Sequence, residues 1–166
     1  MTLPIVEVRP WRNGDLALLQ AAGDSFSAAT LTSRFMTGTP VLPPAYLRRL
    51  EQLDDREQRR WVQVALVGRK IIGVAECLGT KNGRGSAELA VFVADAWQRR
   101  GIGTNLVSDV LTQSLAAGMT HITALSTVGN AATAALLKPR QRPGWRVSCS
   151  TRQGVQQYLI EPDSSL

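Results

Sequence analysis

At Asp95 the apolar pattern of this chain changes period, and the change is made across Gln98-Arg99-Arg100-Gly101-Ile102-Gly103-Thr104. Before it, residues 86–94 read as a strand, alternating at first and then continuously apolar. After it, Ile102, Leu106, Val110 and Leu111 recur on one helical face, with Leu115 one turn on. A chain that passes from strand to helix this way aims the unpaired N–H groups of a helix start, and their partial positive charge, at whatever lies beyond the strand. Gly101 and Gly103 carry no Cβ to hold a ligand off the backbone. Arg99 and Arg100 add guanidinium groups suited to an anion. The segment predicts a phosphate site.

Two familiar nucleotide loops are excluded. No Gly-x-x-x-x-Gly-Lys-Ser/Thr run is present. A dinucleotide fingerprint would need a third glycine where Leu106 stands and an acidic residue about 20 positions on, and residues 120–127 contain none.

The other elements follow from pattern and punctuation. Residues 5–11 read as a strand. Asn13 is placed to cap a helix over 14–22 that Gly23 stops. Residues 25–36 and 45–53 read as helices on either side of a Gly/Pro-rich break at 37–44. Residues 61–67, 69–80 and 86–94 read as three strands. Between the last two, Lys81-Asn82-Gly83-Arg84 carries the Asn-Gly pair of a two-residue hairpin turn. That turn would set Lys81 opposite Arg84 and Cys77 opposite Glu88, with Glu76 opposite Leu89 on the other face of the sheet. Gly118 ends the helix after the phosphate loop. Residues 120–126 form a strand, and Asn130 caps a short helix over 131–137. A basic connector at 138–144 leads to strands at 145–150 and 155–161, then a tail. The order predicts one α/β domain over residues 1–166. Its hairpins require a central mixed, mostly antiparallel sheet of six to seven strands flanked by helices, and not a doubly wound parallel one.

Composition narrows the function. The chain is 44% hydrophobic, enough for a sizeable core. It has no apolar run of the roughly 18 residues a membrane span needs and no signal-peptide pattern, so no membrane role and a cytoplasmic location are expected. Cys77 and Cys149 read as reduced thiols, and one histidine argues against a metal site. The net charge of +6 could attract nucleic acid, a membrane surface or a polyphosphate cofactor, and charge alone does not choose among them. With aromatics at 5% and no readable binding motif, specific nucleic-acid binding is not expected.

The chain resembles the GNAT superfamily of acyl-CoA-dependent N-acyltransferases, whose motif Gln/Arg-x-x-Gly-x-Gly/Ala joins the fourth strand to the third helix. Gln98-Arg99-Arg100-Gly101-Ile102-Gly103 matches it at every fixed position. Residues 87–98, with Ser33-Arg34-Phe35, look most like the catalytic domains of bacterial protein lysine acetyltransferases of the Pat type. The resemblance spans roughly residues 5–137. It implies a GNAT fold, acetyl-CoA as donor, no metal, and direct transfer without an acyl-enzyme. It also implies that the Val91 and Val93 backbone holds the pantetheine arm where the fourth strand parts from the fifth. Amides of Arg99, Arg100, Gly101, Ile102, Gly103 and Thr104 would hold the pyrophosphate, with Gln98 opening the motif and Asn130 near the pantetheine. The acceptor is an amine, either a protein lysine or a small molecule such as a polyamine, amino acid or aminoglycoside. A non-catalytic acyl-CoA-binding module is the reading from another class. A monomer or homodimer is expected. Residues 138–145 depart from the family's usual Leu-Gly-Phe, and no tyrosine stands near Asn130 to protonate the leaving thiolate.

An amine attacks only when neutral, whereas a lysine side chain has a pKa near 10.4. A proton acceptor is therefore needed. The central strands offer Glu76 and Glu88. Glu88 shares a face with Ala90 and Phe92, where partial burial would make a carboxylate more basic, and the Pat-type resemblance also implies Glu88. Its alternative role is an ion pair, for instance with Arg34. Glu76 is the reserve, otherwise a solvated strand residue. Cys77 has no histidine nearby in sequence to make it a nucleophile, and His121 reads as structural or solvated.

Overall fold

The computed structural model describes residues 3–52, 59–80, 83–138 and 144–163. Seven strands form one sheet: β1 (Val6–Pro10), β2 (Arg60–Val67), β3 (Lys70–Gly79), β4 (Ser86–Val93), β5 (His121–Thr127), β6 (Trp145–Arg152) and β7 (Val155–Pro162), in the order β1-β2-β3-β4-β5-β7-β6. Every neighbouring pair is antiparallel except β4 and β5. Those two run parallel because the chain crosses between them through a helix, as parallel neighbours require. The helices are α1 (Asp15–Ala21), α2 (Ala28–Phe35), α3 (Pro44–Glu51), α4 (Ile102–Ala116) and α5 (Ala131–Leu136). No helix among the described residues is long and apolar enough to cross a membrane.

Strand β3 is central and buried along almost its whole length. One of its faces, with Gly73, Ala75 and Cys77, lies under α4, whose Leu106, Val107 and Val110 are fully buried. Each such side chain contributes roughly 1.5–3 kcal/mol by leaving water. Gly73 makes the approach possible, since a Cβ there would meet Leu106 Cδ1 at 2.9 Å and Val93 Cγ2 at 3.4 Å. Gly73→Ala should therefore cost about 1–3 kcal/mol by overpacking, read as a lower urea midpoint with unchanged slope. The opposite face carries an aromatic cluster: Phe92 of β4 packs against Phe26 at 5.0 Å, Phe35 at 5.8 Å and Tyr46 at 6.1 Å between ring centroids. This fastens α2 and α3 to the sheet. At the far edge, β6 is largely exposed.

Two local expectations are corrected. Asn13 does not cap α1. The cap position is Gly14, in the left-handed region at φ 94°, with no side-chain hydrogen bond. The helix start is held by Asp15, whose carboxylate accepts from Arg9 Nη1 (2.7 Å), Arg9 Nη2 (2.8 Å) and the Arg12 backbone N–H (2.7 Å). Burial pushes that carboxyl up, but these bonds outweigh it and hold its pKa below the usual value.

The β3–β4 hairpin is also not the tight one expected. Thr80 N–H bonds to Ser86 O at 2.9 Å, so the connection spans residues 81–85, with Gly85 at φ 80°. Lys81 and Asn82 of the expected turn lie outside the described residues. The pairing is one residue out of the expected register: Cys77 opposes Leu89, Glu76 opposes Ala90 and Leu78 opposes Glu88. Glu76 thus shares a face with Glu88 instead of lying behind it.

Candidate active site at the fork between the fourth and fifth strands

Strands β4 and β5 pair over only Ser86–His121, Ala87–Ile122 and Glu88–Thr123. Beyond Glu88 they separate. Ala94 N–H bonds to Ile72 O on the β3 side at 2.8 Å. By strand alternation the backbone groups of Val91 and Val93 point the other way, into the fork. Val93 O there accepts from Gln98 Nε2 at 2.9 Å. The fork widens into a cleft of about 760 Å³ bounded by β4, the 95–104 loop, α2 and α5, within the range of pockets that hold small ligands.

The loop at the cleft's mouth has the conformation an anion site needs. Arg99 takes the left-handed conformation at φ 57°, and Gly101 caps α4 at φ 79° with no side-chain cap. The first helical bond is Asn105 N–H to Gly101 O, 3.0 Å. The N–H groups of Ile102, Gly103 and Thr104 consequently have no partner within the helix. A Cβ on Gly103 would meet only ordinary contacts, with Leu136 Cδ1 at 3.6 Å, so packing does not demand glycine there. Arg99 lines the cleft. Arg100 stands over the Trp97 ring at 5.0 Å. The Gln98 side chain bridges Val93 O and Thr30 Oγ1 (3.0 Å), locking the loop to α2.

Helix α2 spans the fork and is fastened at both margins. Asp95 accepts from Ser27 N–H (3.0 Å), Ser27 Oγ (2.7 Å) and Thr30 Oγ1 (2.9 Å). On the other margin, Asn130 Oδ1 caps α5 by accepting from Thr133 N–H at 3.1 Å, while its Nδ2 donates to Ser33 Oγ at 2.7 Å. The cap was legible in the sequence; the contact to Ser33, 97 positions away, was not. Nor was the Asp95 anchor, whose only local sign is a serine just before α2.

Burial raises the Asp95 carboxyl, yet the bonds from Ser27 and Thr30 outweigh it and lower its pKa below the ordinary 3.8. A depressed folded-state value means that the contribution is fully present above pH 3.8 and is lost as pH falls through the folded value. Thermal melts from pH 7 to pH 2 should show Asp95→Asn melting lower than wild type at neutral pH. The gap should close at the acid end.

Of the two candidate glutamates, only Glu88 lines the cleft. It is exposed, contrary to the partial burial expected, and has no hydrogen-bond or ion-pair partner among the described residues. Glu76 is 5% exposed. One of its oxygens takes Arg34 Nη2 at 2.5 Å, and the other takes Arg60 through Nε (3.1 Å) and Nη2 (2.5 Å). The ion pair foreseen for Glu88 with Arg34 therefore belongs to Glu76, which is not a solvated strand residue. Cys77 lies in the core, and burial pushes its thiol up to about 11, so it stays protonated. His121 is exposed and meets Glu161 at 3.3 Å. Among the described residues no group of three His, Cys, Asp or Glu could hold a metal.

The model of the acetyltransferase (GNAT) family matches residues 27–140, so the chain belongs to the GNAT family of acetyltransferases. Among solved structures, the GNAT domain of S. lividans PAT superposes with a TM-score of 0.80 at 20% identity, over 94% of this chain and 90% of that one. The ribosomal-protein-S5-alanine acetyltransferase of Vibrio fischeri gives 0.72 at 15%, over 99% and 97%. The spermidine N-acetyltransferase of Vibrio cholerae, solved with CoA and spermine, gives 0.66 at 19%, over 96% of each chain. At these identities the likeness is one of fold. A comparison with curated protein sequences returned no match.

Proposed function

We propose that this protein acetylates a lysine side chain of another protein, taking the acetyl group of acetyl-CoA, with Glu88 as general base. The observation that carries the reading is the state of Glu88. Among the described residues it is the unpaired carboxylate of the cleft, on the last pair before β4 and β5 part. Asp95, the other carboxylate lining the cleft, is taken up by Ser27 and Thr30.

The residues present fit acetyl-CoA. The open N–H groups of Ile102, Gly103 and Thr104, with Arg99 and Arg100, suit its pyrophosphate. The backbone of Val91 and Val93 suits its amide-bearing arm, and Asn130 stands beside that path. When bound, acetyl-CoA supplies a thioester carbonyl for an amine to attack. Glu88 takes the proton that the amine must lose, directly or through one water. The Val93 carbonyl, already engaged by Gln98, leaves the Val91 backbone the freer of the two.

The shape of the acceptor side favours a protein. On the Glu88 face, beyond the α2 contact with β5, no helix among the described residues covers β6 and β7, and Leu125, Ser148, Ser150 and Gln157 are exposed. A macromolecule can lie across such a face. Among the described residues the carboxylates lining the cleft are Glu88 and the engaged Asp95, fewer than a polyamine would call for. Both cysteines are free, which accords with work in the cytoplasm. The test is release of CoA thiol by protein substrates, lysine peptides and a panel of small amines. Turnover of small amines alone would overturn the protein assignment.

A further inference from the structure

Arg34 carries a charge the fold does not use up. It lies on the cleft wall, with its side chain 15% exposed, pressed on the Phe35 ring at 4.6 Å and the Tyr46 ring at 5.6 Å. Its Nη2 meets Glu76, but Glu76 is already matched by Arg60, which is 3% exposed, grips one carboxylate oxygen through two nitrogens and also bonds the Arg49 carbonyl at 2.8 Å. Two guanidiniums on one carboxylate leave a net positive charge, and Arg34 is its member facing the cleft. Arg34 Nε is buried and has no hydrogen-bond partner among the described residues. Across Ala90 on the same sheet face stands the unpaired Glu88, a diagonal neighbour of Glu76 within reach of long side chains. The acceptor half of the cleft thus holds one fixed anion and, beside it, one fixed surplus cation.

The geometry points to Arg34 as the residue that sets acceptor specificity. The acceptor is an amine with a negative charge close beside it, such as a lysine flanked by aspartate or glutamate. Amines carrying further positive charge are rejected. The warrant is electrostatic. Glu88 offers the reacting amine its counter-charge, and Arg34 then meets whatever lies next along the acceptor. A carboxylate there is attracted, whereas a second ammonium is repelled. This rests on the acetyl-transfer reading given above. It goes beyond it by naming the charge pattern of the substrate.

The test compares lysine peptides that differ only in flanking residues (Asp, Ala or Lys), together with spermidine, in wild type, Arg34→Gln and Arg34→Lys. Wild type should favour the Asp-flanked over the Lys-flanked peptide by about tenfold in kcat/KM, mostly through KM. Arg34→Lys, which keeps the charge, should keep that order. Arg34→Gln should flatten it, while Glu76 stays paired to Arg60 and the melting curve stays cooperative. Equal preference for all flanks in wild type would overturn the inference. So would an Arg34→Gln variant that slows every acceptor by one common factor, or an Arg34→Lys variant that loses the preference as fully as Arg34→Gln. Failure of every amine to release thiol in wild type would instead strike the acetyl-transfer reading, and acetyl-CoA affinity measured alongside separates the two.

Discussion

Glu88→Gln is expected to lower kcat by roughly 10²–10⁴-fold, the usual worth of a positioned base, while acetyl-CoA affinity stays within about twofold of wild type. The amide keeps the size of the side chain and cannot accept the proton. Glu88 is exposed and pairs with nothing among the described residues, so no network collapses on its substitution and the melting temperature should hold. The variant depends on amine already neutral in solution. A lysine amine has a pKa near 10.4, so the variant's kcat/KM should climb about tenfold per pH unit up to that value. Wild type, whose Glu88 can take that proton, should climb less steeply. A variant with wild-type turnover and wild-type pH dependence would remove Glu88 from the reaction. Lost cofactor binding would make it structural.

Gly101→Val should weaken acetyl-CoA binding on the order of a hundredfold or more, because it withdraws donors each worth about 1.5–3 kcal/mol to a charged group. Gly101 sits at φ 79°, and a Cβ there would touch nothing within 4 Å. The strain is therefore in the backbone and not in packing. A residue other than glycine resists that conformation by roughly 1–2 kcal/mol, and a β-branched one resists it most. The loop escapes by leaving the left-handed region, which turns the Ile102, Gly103 and Thr104 amides away from their common target. Calorimetric titration with acetyl-CoA beside a thermal melt checks both halves: affinity falls steeply, and the fold remains. Unaltered affinity would end the assignment of this loop to phosphate.

Much of this architecture is written locally. The glycine-bearing loop at 98–104, the helix behind it, the Asn130 cap and all seven strands follow from period and punctuation, because those signals depend on neighbours a few residues apart. What was not legible depends on geometry accumulated over distance. The β3–β4 hairpin turns through five residues, with Gly85 at positive φ, where Asn82-Gly83 suggested two. That one-residue difference carries Glu76 onto the face of Glu88. Side-chain partners were equally hidden: Arg34 belongs to Glu76 and Ser33 to Asn130, pairings separated by 42 and 97 positions. At α1, Asn13 had the right chemistry for a cap, but Gly14 holds that place and Asp15 supplies the bonds.

The three-pair contact between β4 and β5 has a mechanical consequence. The sheet behaves as two plates joined along a short seam, one of β1 to β4 and one of β5 to β7, with α2 laid over the gap as a strap pinned at Asp95 and Asn130. A molecule lodged in the gap becomes a rib of the structure, tying the plates where the strands do not. Hydrogen exchange at the outer part of β5 and along α5 would then slow on loading, well away from any atom that reacts.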